Sequence, residues 1–349
     1  MKKHTNPFKL LALGAFFLLP VLSMAGNGDV VQKRKNISKS YTVSADDKLS
    51  IENSFGDVTI TTWDKNEIQV NIDIMVNAST DDKAQQMMDQ IQVSDSRSGN
   101  TISFKTDIGN MGNGKKNKDN GGDDRKFAVD YKIVMPAGNP LNVENSFGKI
   151  NIGNFNGPAS LVSKFGELNT GKLANAKVLH VEFGKADIGP VVDPDITFKF
   201  NGKSFIKNIS GNAKVHVEFC GDVAFSVDNG IRDLSIFESY SDVRVFVPQN
   251  ISANVNVHTN FGSFHNSSGI NISEEKDDDS NGPKFDRDYS GSSGTGTARI
   301  KIKSSFGKVR IANVGDTTVN GDDDHQDHSK NKNKNKDKDD DDDDDSVNM

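Results

Sequence analysis

The sequence predicts an all-β chain: a parallel β-solenoid-like stack of 18–21-residue repeats, with an N-terminal antiparallel β excursion carrying one short helix. The first observation is a repeated heptapeptide. Ser54-Phe55-Gly56-Asp57-Val58-Thr59-Ile60 returns as Ser146-Phe147-Gly148-Lys149-Ile150-Asn151-Ile152 and as Ser305-Phe306-Gly307-Lys308-Val309-Arg310-Ile311. The second is spacing: from Phe147 to Phe261, through Phe165, Phe183, Phe200, Phe219 and Tyr240, successive aromatics stand 18, 18, 17, 19, 21 and 21 residues apart. The third is strict alternation before each aromatic, as in Leu179, Val181 and Phe183, or Val215, Val217 and Phe219, which marks strands with one buried face.

Taken from the start, Met1-Lys2-Lys3, the apolar run Leu10 to Leu22 and the exit Ser23-Met24-Ala25 read as a secretory signal peptide over residues 1–25, cleaved after Ala25. That run is 13 residues long and contains Pro20, whereas a spanning helix needs about 20. No later segment is apolar enough to cross a bilayer as a helix, so the expectation is an exported chain with no transmembrane segment after cleavage, periplasmic or at the cell surface.

The repeat domain is expected over residues 41–315. After each aromatic, two residues pass before the apolar set resumes at Val58 and Ile60, Ile150 and Ile152, or Val309 and Ile311. The inward phase slips by one there, and a glycine at the slip suits a bulge or corner. The expected corners are Phe55-Gly56, Phe147-Gly148, Phe165-Gly166, Phe183-Gly184, Phe219 with Gly221, Phe261-Gly262 and Phe306-Gly307, with degenerate copies at Phe200-Asn201-Gly202 and Tyr240-Ser241. A coil this short cannot bury its apolar face alone, so coils must stack at about 4.8 Å. The stacked phenylalanines are then expected to form a column along the core. An antiparallel sandwich is the competing reading, but its strands usually recur every ~8–12 residues.

An excursion is expected over 66–140. Glu67 to Val76, Asn100 to Asp107 and Lys126 to Met135 alternate like strands, and Thr80-Asp81-Asp82-Lys83 caps a short helix through Ala84, Met87, Met88 and Ile91. Asn110 to Arg125 is Gly-, Lys-, Asn- and Asp-rich and reads as a loop, as does an insertion over 274–297. Residues 321–349, with Asp339 to Asp345 before the final Ser346-Val347-Asn348-Met349, have almost no apolar side chains and read as a disordered acidic tail.

The formal charge of −7 falls to −10 once Lys2, Lys3 and Lys9 leave with the signal, which speaks against nucleic acid. The single Cys220 reads as a buried, inert thiol that can form no internal disulfide. His180, His216 and His258 each stand three residues before an aromatic, the first two within His-Val-Glu-Phe. Two coils apart, roughly 9.6 Å, they cannot share a zinc ion, whose ligands lie within about 2.3 Å; no metal or cofactor is expected beyond weak Ca2+ association with the acidic tail. Asp57, Asp222 and Asp242 share a register with Lys149, Glu167, Lys185, Lys203 and Lys308. Mixed signs there describe a solvated edge rather than paired catalytic carboxylates, so no catalytic residue is assigned.

Tyr131-Lys132-Ile133-Val134-Met135-Pro136-Ala137-Gly138, followed by Leu141-Asn142-Val143-Glu144-Asn145-Ser146-Phe147-Gly148-Lys149-Ile150, resembles the entry to the bacterial "putative adhesin" β-strand-repeat domain. The resemblance spans roughly Tyr41 to Val314, although many relatives carry Ser-Gly where this chain has Phe-Gly. It implies an exported or envelope-associated β-repeat domain, sometimes encoded near envelope stress regulators, and transfers no catalytic residue. The leading expectation is therefore a non-enzymatic structural or binding module of the cell envelope, whose partner is a surface polymer, a protein or another copy of itself. The alternatives are a sensory role in envelope stress signalling and, third, a glycan-active solenoid enzyme.

Overall fold

The structure, a computed structural model, describes residues 30–109, 127–275 and 285–314. The expected signal peptide, the 110–125 loop and the acidic tail lie outside the described residues.

An edge strand, the first coil and the excursion come first. Strands β1 (Val31–Thr42), β2 (Lys48–Ser54), β3 (Val58–Trp63) and β4 (Glu67–Ala78) precede helix α1 (Asp81–Gln90), then β5 (Gln92–Ser98), β6 (Thr101–Asp107) and β7 (Phe127–Pro136). Thr80 caps α1 by accepting a hydrogen bond from the Lys83 amide at 3.3 Å, and Ala84 and Met88 are buried. β1 was not anticipated as a strand; it pairs antiparallel with β4 along its whole length. Its Lys33, Arg34 and Lys39 form ion pairs with Asp81, Asp73 and Asp95, and basic side chains are a usual guard on an exposed sheet edge.

The coils follow: β8 (Leu141–Ser146), β9 (Lys149–Ile152), β10 (Ala159–Lys164), β11 (Glu167–Thr170), β12 (Ala176–Glu182), β13 (Lys185–Val192), β14 (Asp195–Lys199), β15 (Lys203–Glu218), β16 (Asp222–Ser239), β17 (Asp242–Val247), β18 (Ala253–Asn260) and β19 (Ser263–Ser267). The chain ends in β20 (Asn271–Glu274), β21 (Asp286–Ser293), β22 (Ala298–Ser305) and β23 (Lys308–Asn313). Within the expected 274–297 insertion, β21 is thus an ordered strand, antiparallel to β18 and β20.

Each coil gives one strand to each of two facing sheets. Sheet 1 holds the strands before the aromatics: β6, β2, β8, β10, β12, β14 and the later halves of β15 and β16 run parallel in that order, followed by β22 and β18. Sheet 2 holds those after: β7, β3, β9, β11, β13, the earlier halves of β15 and β16, then β17, β23 and β19. A short third side is made by Phe155, Leu173, Val191, Ile209 and Val227 in register. The inward residues, such as Leu49, Val143, Leu161, Leu179, Ile150, Leu168 and Ile188, are fully buried and form one continuous core. In both sheets the last coil in sequence, β22–β23, is wedged between β16–β17 and β18–β19.

The aromatics do stack, but not where the alternation placed them. Phe147, Phe165, Phe183, Phe200, Phe219, Tyr240, Phe261 and Phe306 are 42–53% exposed, so the column runs down the outer corner where the two sheets meet, not through the core. The cause is backbone: each of these residues, and Phe55, has φ between 50 and 63°. That left-handed turn swings the ring out of phase with the two inward residues before it, at a cost of about 1–2 kcal/mol per residue. The aromatic, not the glycine, therefore takes the unusual conformation. The glycine is needed for space instead: a Cβ on Gly148 or Gly166 would sit 1.8 Å from the carbonyl oxygen of the coil before it.

Candidate functional site

The outward residues of sheet 2 build a trough. Thr59, Asn151, Asn169, Asp187 and Phe205 stand side by side on consecutive strands. Two residues further along each strand lie Thr61, Gly153, Gly171, Gly189 and Lys207. The three glycines leave this second row without side chains, and the result is an open groove of about 770 Å³, also lined by Asn154, Thr170, Lys172 and Pro190. Its direction is along the stack, crossing five coils.

The groove's parts are held firmly. Asn169 donates to Asn151 across coils at 3.0 Å, which fixes both amides. Thr170 accepts from the Gly189 amide at 3.2 Å, and Asn154 accepts from the Lys172 amide at 2.8 Å. Beside the groove, Lys149 and Glu167 pair at 2.9 Å; that lysine, chiefly, holds the Glu167 carboxyl below the usual carboxylate range. Gly171 and Gly189 are close-approach positions, since a Cβ there would meet main chain of the preceding coil at 2.8 and 2.4 Å. Gly153 is different: a Cβ would meet nothing within 4 Å. The space left by its missing side chain is part of the trough.

The residues singled out from sequence lie elsewhere. Phe55, Phe147, Phe165, Phe183, Phe219, Phe261 and Phe306 form the outer column, with Tyr240 and Phe200 in the same file and Phe127 and Phe285 at its ends. Gly56, Gly148, Gly166, Gly184, Gly262 and Gly307 stand beside them, while Gly221 follows an extra residue, Cys220, in its coil. Cys220 is 4% exposed, and burial pushes its thiol pKa up. His180 and His216 are separated by the strand carrying Thr197. His216 stacks on Phe237 at 5.0 Å, and His258 meets Asp288 at 2.9 Å. Among the described residues no three His, Cys, Asp or Glu side chains gather as a metal site would require, and no helix is long and apolar enough to cross a membrane.

The trough itself was missed in the sequence, although a signal was present. Asn151 and Asn169, and Gly153, Gly171 and Gly189, recur with the same 18-residue interval as the phenylalanines.

No family model and no curated protein matches the chain. Among solved structures it is similar to a "putative cell adhesion protein" from Clostridium sporogenes ATCC 15579, at 12% identity and TM-score 0.23 over 81% of this chain and 100% of that one. It is also similar to a "putative adhesin" from Bacteroides fragilis NCTC 9343, at 11% identity and TM-score 0.27 over 79% and 97%. A third, a "putative lipid binding protein" from Parabacteroides distasonis ATCC 8503, gives 10% and 0.22 over 79% and 96%.

Proposed function

We propose that this chain is an exported, non-enzymatic binding module of the cell envelope, and that the outer trough of sheet 2 is its ligand-contacting surface. The observation that carries the reading is the trough: five coils hold amides, hydroxyls and one aromatic at fixed intervals along an open groove. A stack with a continuous core and in-register strands is stiff, so such a surface is presented without an ordering cost on binding. Among the described residues that line the groove, Asp187 alone is a carboxylate, whereas glycoside hydrolysis generally uses two carboxyl groups about 5–9.5 Å apart. The N-terminal segment supports export, as read from Met1 to Ala25.

The test is retention. Purified full chain is passed over immobilised envelope polymers and envelope protein extract from the source cell, and fractionation locates the native protein. Retention on envelope material together with recovery outside the cytoplasm is the expected result; a chain that stays in the cytoplasm or is retained by no envelope component contradicts the reading.

A further inference from the structure

We infer that the trough grips a neutral saccharide chain lengthwise, with hydroxyl groups on the Asn151 and Asn169 amides and a sugar face on the Phe205 ring. This rests on the reading of the trough as the ligand surface and gives that ligand its chemical class.

Three features of the lining select it. Because Asn169 donates to Asn151, the pair is left with the Asn151 N–H groups as donors and the Asn169 carbonyl oxygen as acceptor on adjacent coils, which suits sugar hydroxyls, with Thr59 and Thr61 beside them. Phe205 adds the apolar platform. The inner rings of the corner column, Phe147, Phe165, Phe183, Phe200, Phe219, Tyr240, Phe306 and Phe261, each have ring neighbours on both sides at 4.6–5.3 Å, whereas Phe285 at one end has a neighbour on one side alone. Phe205 is 43% exposed, and its strand neighbours are Asp187 and Ala224. Among the described residues no other ring stacks on it, so a face is left for a ligand. Charge gives a polyanion little to hold: the lining carries Lys172 and Lys207 against Asp187, and Lys149 beside it is paired with Glu167. A peptide strand is a poor occupant, because the groove lies on a sheet face whose main-chain groups are already spent on neighbouring strands.

Calorimetric titration of the full chain with soluble oligomers of glucose, mannose and N-acetylglucosamine tests the inference, beside the variants Gly153→Trp and Phe205→Ala. At Gly153 the indole fills the trough, and a Cβ there meets nothing within 4 Å. The expected result is saturable binding of at least one neutral oligomer, weakened at least about tenfold in both variants, with unchanged urea unfolding midpoints. Envelope retention that survives Gly153→Trp, with no neutral oligomer bound, overturns the inference and leaves the binding-module reading standing. Binding confined to an anionic polymer such as polygalacturonate, and lost in Lys172→Ala or at raised salt, overturns it as well. Absence of any envelope retention by the unaltered chain defeats the underlying reading itself.

Discussion

Phe165 and Phe183 lie ring on ring, with centroids 4.9 Å apart and planes within 1° of parallel, at a corner where both remain nearly half exposed. The pair is one step of a file that runs Phe127, Phe55, Phe147, Phe165, Phe183, Phe200, Phe219, Tyr240, Phe306, Phe261 and Phe285. Between the two end rings, each aromatic in this file offsets the strain of its own left-handed backbone through contacts with both neighbours, each worth about 0.5–1.5 kcal/mol. Phe165→Ala removes two such contacts while the backbone strain stays. We expect it to lower stability by about 1–3 kcal/mol, read as a lower urea midpoint. Phe165→Tyr is expected to change it by less than about 0.5 kcal/mol, since Tyr240 already occupies the register. Equal effects of the two substitutions would argue that stacking contributes nothing.

The corner glycines separate into two kinds. A Cβ on Gly166 would lie 1.8 Å from the Gly148 oxygen, whereas one on Gly202 meets nothing within 4 Å, because Asn201 adds a residue to that coil. Gly166→Ala is therefore expected to prevent folding or cost more than about 3 kcal/mol. Gly202→Ala should stay within about 1 kcal/mol of the original. Circular dichroism melts of both proteins decide it, and a tolerated Gly166→Ala would refute the close approach of successive coils.

The seam where the last coil enters carries a buried acid. Glu238 is 4% exposed and accepts a hydrogen bond from the Ser241 amide at 2.7 Å and another from the Ser304 hydroxyl of the wedged coil. Burial raises its pKa from 4.5 to about 7, with a further push from Asp242, against the lowering effect of its two hydrogen bonds. The folded protein thus binds this proton more tightly than the unfolded chain does. The stabilising contribution is full below 4.5 and is lost as pH rises from there through about 7. Glu238→Gln keeps the shape and abolishes the titration. Relative to the original, the variant should gain about 1–3 kcal/mol between roughly pH 4.5 and pH 8. Urea curves at the two pH values measure this, and a constant difference would show that Glu238 titrates normally.

The repeat interval alone revealed the stack, because every coil pairs with its neighbour and must keep nearly the same length. Helix α1 was equally legible, from the Thr80 cap and the Ala84 and Met88 spacing. The column's position was not. Alternation through Leu179 and Val181 assigns Phe183 to the inside, and period-two reasoning holds only while the backbone stays extended; a positive φ at Phe183 ends the strand and reverses the ring. Spacing could not place β22–β23 between two earlier coils either, since the order of coils in space is a property of contacts rather than of sequence separation. The trough was overlooked because attention to the inward phase treats outward Asn151, Gly153 and Asn169 as solvated filler, although they keep the coil interval.

The wedged position of the last coil is the claim on which the seam and the far end of the column stand, and cysteine pairs read it directly. Ser235 neighbours Lys301, and Lys301 neighbours Asn256, so Ser235 and Asn256 are two coils apart. Adjacent strands lie about 4.8 Å apart, within the roughly 4.4–6.8 Å that a disulfide spans between Cα atoms. In a Cys220→Ala background, mild oxidation should crosslink Ser235→Cys with Lys301→Cys and leave Ser235→Cys with Asn256→Cys reduced, as measured by mass spectrometry of the digested protein. The opposite pattern, with the first pair reduced and the second crosslinked, would place the coils in simple sequence order and contradict the account.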